Sequence, residues 1–296
     1  MTPFRAAMMI AAAAFALTSP ARGETILFVG NSFTFAALSP AWHYRPDTVT
    51  DLNGEGVGGV PALFKRFADE LGLHEDVSLE TAPGRALEWH WANKRALIDR
   101  RWDQVVLQEY STLDPDRPGN PAKLVAYSGK LAALVRARDP RARISLTATW
   151  SRPDLTFPRG KPWSGKPIAR MALDLRRGAD LARRVNPAIA RVIPVGEAFN
   201  CAIALRVADA NPYDGISSGQ VSLWAGDHYH GSTAGYYLEA LTVFAAVTGH
   251  DPRALGRAEL AAADLGLEPK LAAELQSIAW QMVRGHGCDT SRPRTH

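Results

Sequence analysis

The sequence predicts a three-layer α/β/α sandwich built on a mostly parallel five-stranded sheet. Two observations carry this. Short apolar, β-prone runs alternate with segments of helical period along most of the chain, the order of βαβ units. The first run, Thr25–Val29 (TILFV), is continuously apolar, as expected of a strand covered on both faces. The length, 296 residues, suits one large domain. Further strands are expected at Val77–Thr81, Gln104–Gln108, Arg143–Thr149 and Arg191–Val195, the last at a sheet edge because Pro194 cannot donate to a ladder. Helices are expected at Val60–Leu71, where Leu63, Phe64, Phe67 and Leu71 share a face, and at Ala86–Asp99. Others follow at Ala122–Arg138, stopped by Asp139-Pro140, at Ile168–Val185, stopped by Asn186-Pro187, and at Thr233–Val247. Residues 256–284 read as one or two terminal helices. Residues 35–59 and 151–167 are long loops, and loops of such length usually shape a site or lack order.

Composition narrows the function classes. Hydrophobic residues make up 46% and charged residues 22%, which argues against disorder and coiled coil. The net charge of +4 is scattered, with no basic run, so nucleic acid is not an expected partner. A short basic start, the apolar run Ala6–Leu17 and the small residues around Thr18–Ala21 have the layout of a secretory signal peptide. Residues 1–23 are expected to be removed, leaving 24–296 as one domain with C-terminal helices, secreted or periplasmic. No other stretch is apolar and long enough to span a bilayer. Two cysteines exclude a disulfide scaffold and a Cys-rich zinc module. In an oxidising compartment Cys201 and Cys288 either pair or remain two buried thiols.

In open parallel sheets ligands sit beyond the carboxyl ends of the strands. The first strand runs directly into Gly30-Asn31-Ser32, which would place a hydroxyl there. Ser32 is either a nucleophile awaiting a base or the cap of the next turn. Asp227-His228-Tyr229-His230 precedes the helix at Thr233, and a spacing of three lets the Asp227 carboxylate orient the His230 imidazole. The same residues also read as a surface cluster or as metal ligands, although no matching ligand set occurs elsewhere. Gly84, after the second strand, and Gln108, at the end of the third, are candidate donors to an oxyanion together with Ser32.

The ordered set Gly30-Asn31-Ser32, Gly84, an amide side chain after the third strand and Asp227-x-x-His230 resembles the SGNH (GDSL-type) hydrolase superfamily, whose fold is flavodoxin-like. The run Trp102–Ser111 is similar to a poorly characterised bacterial branch of it. The resemblance implies Ser32 as nucleophile, His230 as base and Asp227 as its orienter, with the oxyanion held at Ser32, Gly84 and a third-block asparagine. Here Gln108-Glu109-Tyr110-Ser111 replaces that block, and Gln108 stands in for the asparagine.

The implied reaction is hydrolysis of a small ester, such as an acetyl ester, through an acyl-serine, with no metal or other cofactor. Asn31, Arg85, Trp89 and Trp150 are candidate substrate-binding residues, and tryptophan faces near the strand ends suit a carbohydrate ester. Two alternatives use the same fold: a non-catalytic glycan-binding protein and an O-acyltransferase.

Overall fold

The computed structural model describes residues 23–290; apart from Gly23, the expected signal peptide lies outside them. Six parallel strands form one sheet in the order β2-β3-β1-β4-β5-β6. They are β1 Thr25–Gly30, β2 Thr50–Asp51, β3 Asp76–Thr81, β4 Gln104–Gln108, β5 Arg143–Thr147 and β6 Ile189–Ile193. The strand count is six rather than five because β2 lies within the loop 35–59. Only Thr50 and Asp51 pair with β3, opposite Ser78 and Leu79, and so short a polar pair carries no periodic signal. The last strand begins and ends two residues earlier than expected. It does occupy the sheet edge, and Pro194 stands just beyond it.

The helices are α1 Gly59–Glu70, α2 Leu87–Asn93, α3 Arg95–Ile98, α4 Ala122–Arg138, α5 Pro153–Thr156, α6 Ala169–Val185, α7 Val195–Ala204, α8 Thr233–Thr248, α9 Leu260–Asp264 and α10 Pro269–Val283. Alternation along β1 explains the layering. Ile26 and Phe28 join a core with side chains of α1, α7, α8 and α10, while Leu27 and Val29 face the other way, toward α4 and α6. Both faces of the sheet are therefore covered, as near-continuous apolar strands require. The expected helix 86–99 breaks at Lys94 into α2 and α3. Cys201 of α7 and Cys288 are joined by a disulfide that fastens the segment after α10 onto α7.

Strand order reverses at β1: β3 lies on one side of it and β4 on the other. The carboxyl ends of β1, β3 and β4 consequently open a crevice between the loops that follow them. Gly30-Asn31-Ser32 enters that crevice from β1.

Candidate active site

The turn after β1 is held from within. Asn31 is buried; its amide Nδ2 donates to the carbonyl oxygens of Arg85 (2.9 Å) and Glu109 (3.3 Å), and its Oδ1 accepts from the Phe33 N–H. The Oε1 of Gln108 accepts from the Asn31 N–H at 3.2 Å and the Thr34 hydroxyl at 3.0 Å. Glycine is required at position 30, since a Cβ there would stand 2.1 Å from Thr34 Oγ1 and 2.8 Å from Gln108 Oε1. These contacts present Ser32, 6% exposed, with its hydroxyl unbonded to any described residue.

The turn carrying the histidine is equally local. Asp227 Oδ1 accepts the N–H groups of Tyr229 and His230, each at 3.0 Å, and Oδ2 lies 2.6 Å from His230 Nδ1. Burial pushes the Asp227 carboxyl up, but hydrogen bonds from the His230 ring and from these two backbone groups outweigh it and hold the carboxyl below the usual range. Ser232 caps α8 through the Gly235 N–H, fixing the exit of the turn. His230 Nε2 is buried and has no partner among the described residues.

Aromatic packing brings the two turns together. Phe33, next to Ser32, meets the His230 ring edge-on at 5.8 Å and stacks on Trp150 at 4.0 Å. Trp150 donates from Nε1 to the Tyr229 carbonyl oxygen at 3.2 Å. The Tyr236 hydroxyl donates to the Ser32 carbonyl oxygen at 3.3 Å, while its ring lies against Gly231. On the far side, the Arg152 guanidinium covers the Tyr229 ring at 3.5 Å, pairs with Asp154 and donates to Ser111 Oγ. The N–H of Asp154 in turn donates to the His228 carbonyl oxygen. Five of the non-glycine residues with left-handed φ sit on these loops: Ala36, Leu38, Arg45, Leu113 and His228. Backbone held in that sparsely populated region clusters at functional sites.

Gly84 follows β3 with φ +65°, and its surroundings are open. Neither its N–H nor that of Ser32 is taken by an acceptor among the described residues. Backbone donors left without an acceptor are the kind of group an oxyanion hole uses.

Three expected roles change. Gln108 is buried with its amide nitrogen turned to the Glu109 carbonyl oxygen and its own oxygen turned to the β1 turn, so it braces that turn rather than donating to an oxyanion. Asn31 spends its side chain on backbone groups and is not available to a substrate. Trp150 is fully buried between Phe33 and Phe199 because the chain leaving β5 turns it into the core. Arg85 is exposed, and its guanidinium lies 5.4 Å from the half-buried Trp89 ring, so this pair remains at the surface.

Sequence reasoning missed the bracing by Tyr236, the buried Glu109 carboxyl and the exposed Tyr213. An acid two residues after the apolar run Val105–Leu107 was the one available signal for Glu109. Among the described residues, no group of three or more His, Cys, Asp or Glu side chains stands ready to hold a metal ion. No described helix is long and apolar enough to cross a membrane.

No family model and no curated relative matches the sequence. Solved structures do. A DUF4886 family protein from Bacteroides uniformis superposes with a TM-score of 0.58 at 18% identity, covering 89% of this chain and 95% of that one. A candidate GDSL-like lipase from Parabacteroides merdae gives 0.52 at 16% identity, covering 77% and 96%. A candidate SGNH hydrolase from Slackia heliotrinireducens gives 0.50 at 19% identity, covering 75% and 98%. With its parallel sheet, two helical layers and a Gly-Asn-Ser turn at the end of β1, the chain has the SGNH-hydrolase fold.

Proposed function

We propose that the chain is a serine esterase in which Ser32, His230 and Asp227 act as nucleophile, base and orienter. The observation that carries this reading is the 2.6 Å contact between Asp227 and His230 Nδ1, which leaves Nε2 unpaired, in a ring that packs edge-on against Phe33, the neighbour of Ser32. In the reaction His230 Nε2 removes the Ser32 proton as Oγ attacks the ester carbonyl. The oxyanion is received by the N–H groups of Ser32 and Gly84. The imidazolium then protonates the departing alcohol. Water, deprotonated by the same nitrogen, cleaves the acyl-serine and restores the hydroxyl. The Ser32–His230 hydrogen bond forms with substrate in place, as is common where the free enzyme shows a looser pair.

The acyl group is proposed to be small, because Ser32 is only 6% exposed. The alcohol is proposed to be a carbohydrate. Tyr213, 48% exposed, lies 4.2 Å from the His228 ring and 5.8 Å from Phe157, with Asp154 close by. Aromatic faces interrupted by carboxylates suit a sugar better than a lipid chain, which needs continuous apolar cover. Export through removal of residues 1–23 belongs to the same proposal, and the mass of the protein recovered from its producing cells tests it.

The decisive experiment is an ester panel with a fluorophosphonate probe, run on wild type and Ser32→Ala. Turnover and labelling are expected in the first and absent in the second. A folded wild type that neither labels nor hydrolyses any ester refutes the esterase and leaves a glycan-binding protein. Transfer of the acyl group to an added sugar in preference to water would make it an acyltransferase.

A further inference from the structure

The family resemblance places an asparagine donor in the third block, and this chain has none there. We propose that Glu109 instead acts as a positioning residue that fixes the Gly84 N–H at the oxyanion site, an inference that rests on the esterase reading above.

The argument begins with what can hold Gly84. A Cβ at this position would meet nothing within 4 Å, so side-chain packing does not restrain the loop from outside. The turn is closed by the Arg85 N–H on the Ala82 carbonyl oxygen at 3.2 Å, and beyond that its direction depends on the anchors at residues 85 and 87. The Arg85 carbonyl oxygen accepts from Asn31 Nδ2 at 2.9 Å. The Leu87 N–H, at the start of α2, donates to Glu109 Oε1 at 3.1 Å, and the Tyr110 N–H donates to the same oxygen at 2.7 Å. Asn31 Nδ2 also donates to the Glu109 main-chain oxygen at 3.3 Å. A closed circuit results: Asn31 beside the nucleophile, Arg85, Leu87, the Glu109 carboxyl, the Glu109 carbonyl and Asn31 again. The Leu87 anchor ends on the Glu109 carboxyl, and Asn31, which anchors Arg85, also bonds the Glu109 main-chain oxygen. A residue there that keeps only its main-chain oxygen would release one of them.

The circuit is responsive to pH. Glu109 is 3% exposed and its Oε2 has no partner among the described residues. Burial pushes its carboxyl up to about 7, against the Tyr110 and Leu87 N–H groups; Glu88 of α2 adds to the rise and Lys123 of α4 opposes it. Ionised, the carboxylate is the stronger acceptor for the Leu87 N–H, so the loop is held most firmly on the alkaline side.

The test uses full-length wild type, Glu109→Gln and Glu109→Ala with a fluorophosphonate, together with the amide proton shifts of Leu87 and Gly84 across the neutral range. Losing a charge-assisted bond while keeping a neutral one predicts labelling at least threefold slower in Glu109→Gln at about pH 8, and about tenfold or more slower in Glu109→Ala. Reversible affinity for the probe should change less than the labelling rate. The wild-type Leu87 amide should titrate near neutrality, and that step should vanish in Glu109→Gln. Labelling of both variants at the wild-type rate, or a Leu87 amide with the same titration in Glu109→Gln, overturns the proposal. Should Glu109→Ala not fold, Glu109→Gln and the amide titration decide alone. A wild type that never labels removes the esterase reading, and this proposal with it.

Discussion

Asp227→Asn separates the roles of the Asp227 carboxylate, because its two oxygens do different work. Oδ1 takes the backbone N–H groups of Tyr229 and His230, whereas Oδ2 takes only the imidazole. An asparagine can leave its carbonyl oxygen where Oδ1 stood, preserving the turn. Its NH2 group then replaces Oδ2 and faces His230 Nδ1, which must present a lone pair. The ring proton moves to Nε2, the atom that accepts from Ser32 in the proposed reaction. Such a tautomer reversal costs about 10³–10⁴ in kcat in triad enzymes, equivalent to roughly 4–5.5 kcal/mol of barrier. Stability should change by only about 1 kcal/mol, the worth of one hydrogen bond. Hydrolysis of a chromogenic acetate ester, read as separate kcat and KM, and a thermal melt of the same sample measure both quantities. A loss below tenfold, or one confined to KM, would refute the assignment of Asp227 as orienter, and a collapsed melt would show that the turn itself had been lost. Asp227→Ala, which removes both oxygens, should lower stability further while being no more active.

Two stability predictions follow from buried groups. Glu109 ionises near its ordinary value of 4.5 when unfolded and at about 7 when folded. Between those values the folded chain holds a proton that the unfolded chain has released, so wild-type stability falls as pH rises, by about 3 kcal/mol in all, and then levels off. Glu109→Gln lacks this slope; denaturant titrations at stepped pH should show its stability rising relative to wild type up to about neutral pH, and a constant difference would contradict the burial argument. The Cys201–Cys288 link spans 87 positions, and the chain-entropy model assigns a loop of that length about 4–5 kcal/mol. The double alanine variant should therefore unfold at lower denaturant than oxidised wild type, and reductant should weaken only the wild type.

The parts of this molecule that could be read from its sequence are those whose geometry is set by near neighbours. Asp227 and His230 lie in one turn, and their spacing alone brings carboxylate and imidazole together; the turn then needs only Ser232 as a cap to present them. Gly30 and Ser32 were equally legible because a strand end followed by glycine fixes where the next side chains go. The strands announced themselves through their apolar runs, and the alternation of Ile26 and Phe28 against Leu27 and Val29 shows why an almost wholly apolar run was needed. What failed were assignments that depend on where a side chain finds its partner across the fold. Gln108 and Asn31 carry the right amides for a binding site, yet the Gln108 oxygen is taken by the Asn31 N–H and the Asn31 amide nitrogen by the Arg85 and Glu109 carbonyls, all more than fifty positions away. Trp150 sits at a strand end like a substrate platform, but its stacking between Phe33 and Phe199 depends on β1 and α7. An amide or an indole near a strand end states only what it can bond; the packing of distant segments selects which bond it makes. The same logic explains Glu109: a carboxylate after an apolar strand looks like solvent-facing charge until α2 arrives and points the Leu87 N–H at it. That distinction gives the Asp227 and Glu109 substitutions different expected signatures. Disturbing the locally built dyad should affect the chemistry with little effect on stability. Disturbing the long-range brace should couple stability, loop geometry and rate through one titrating group.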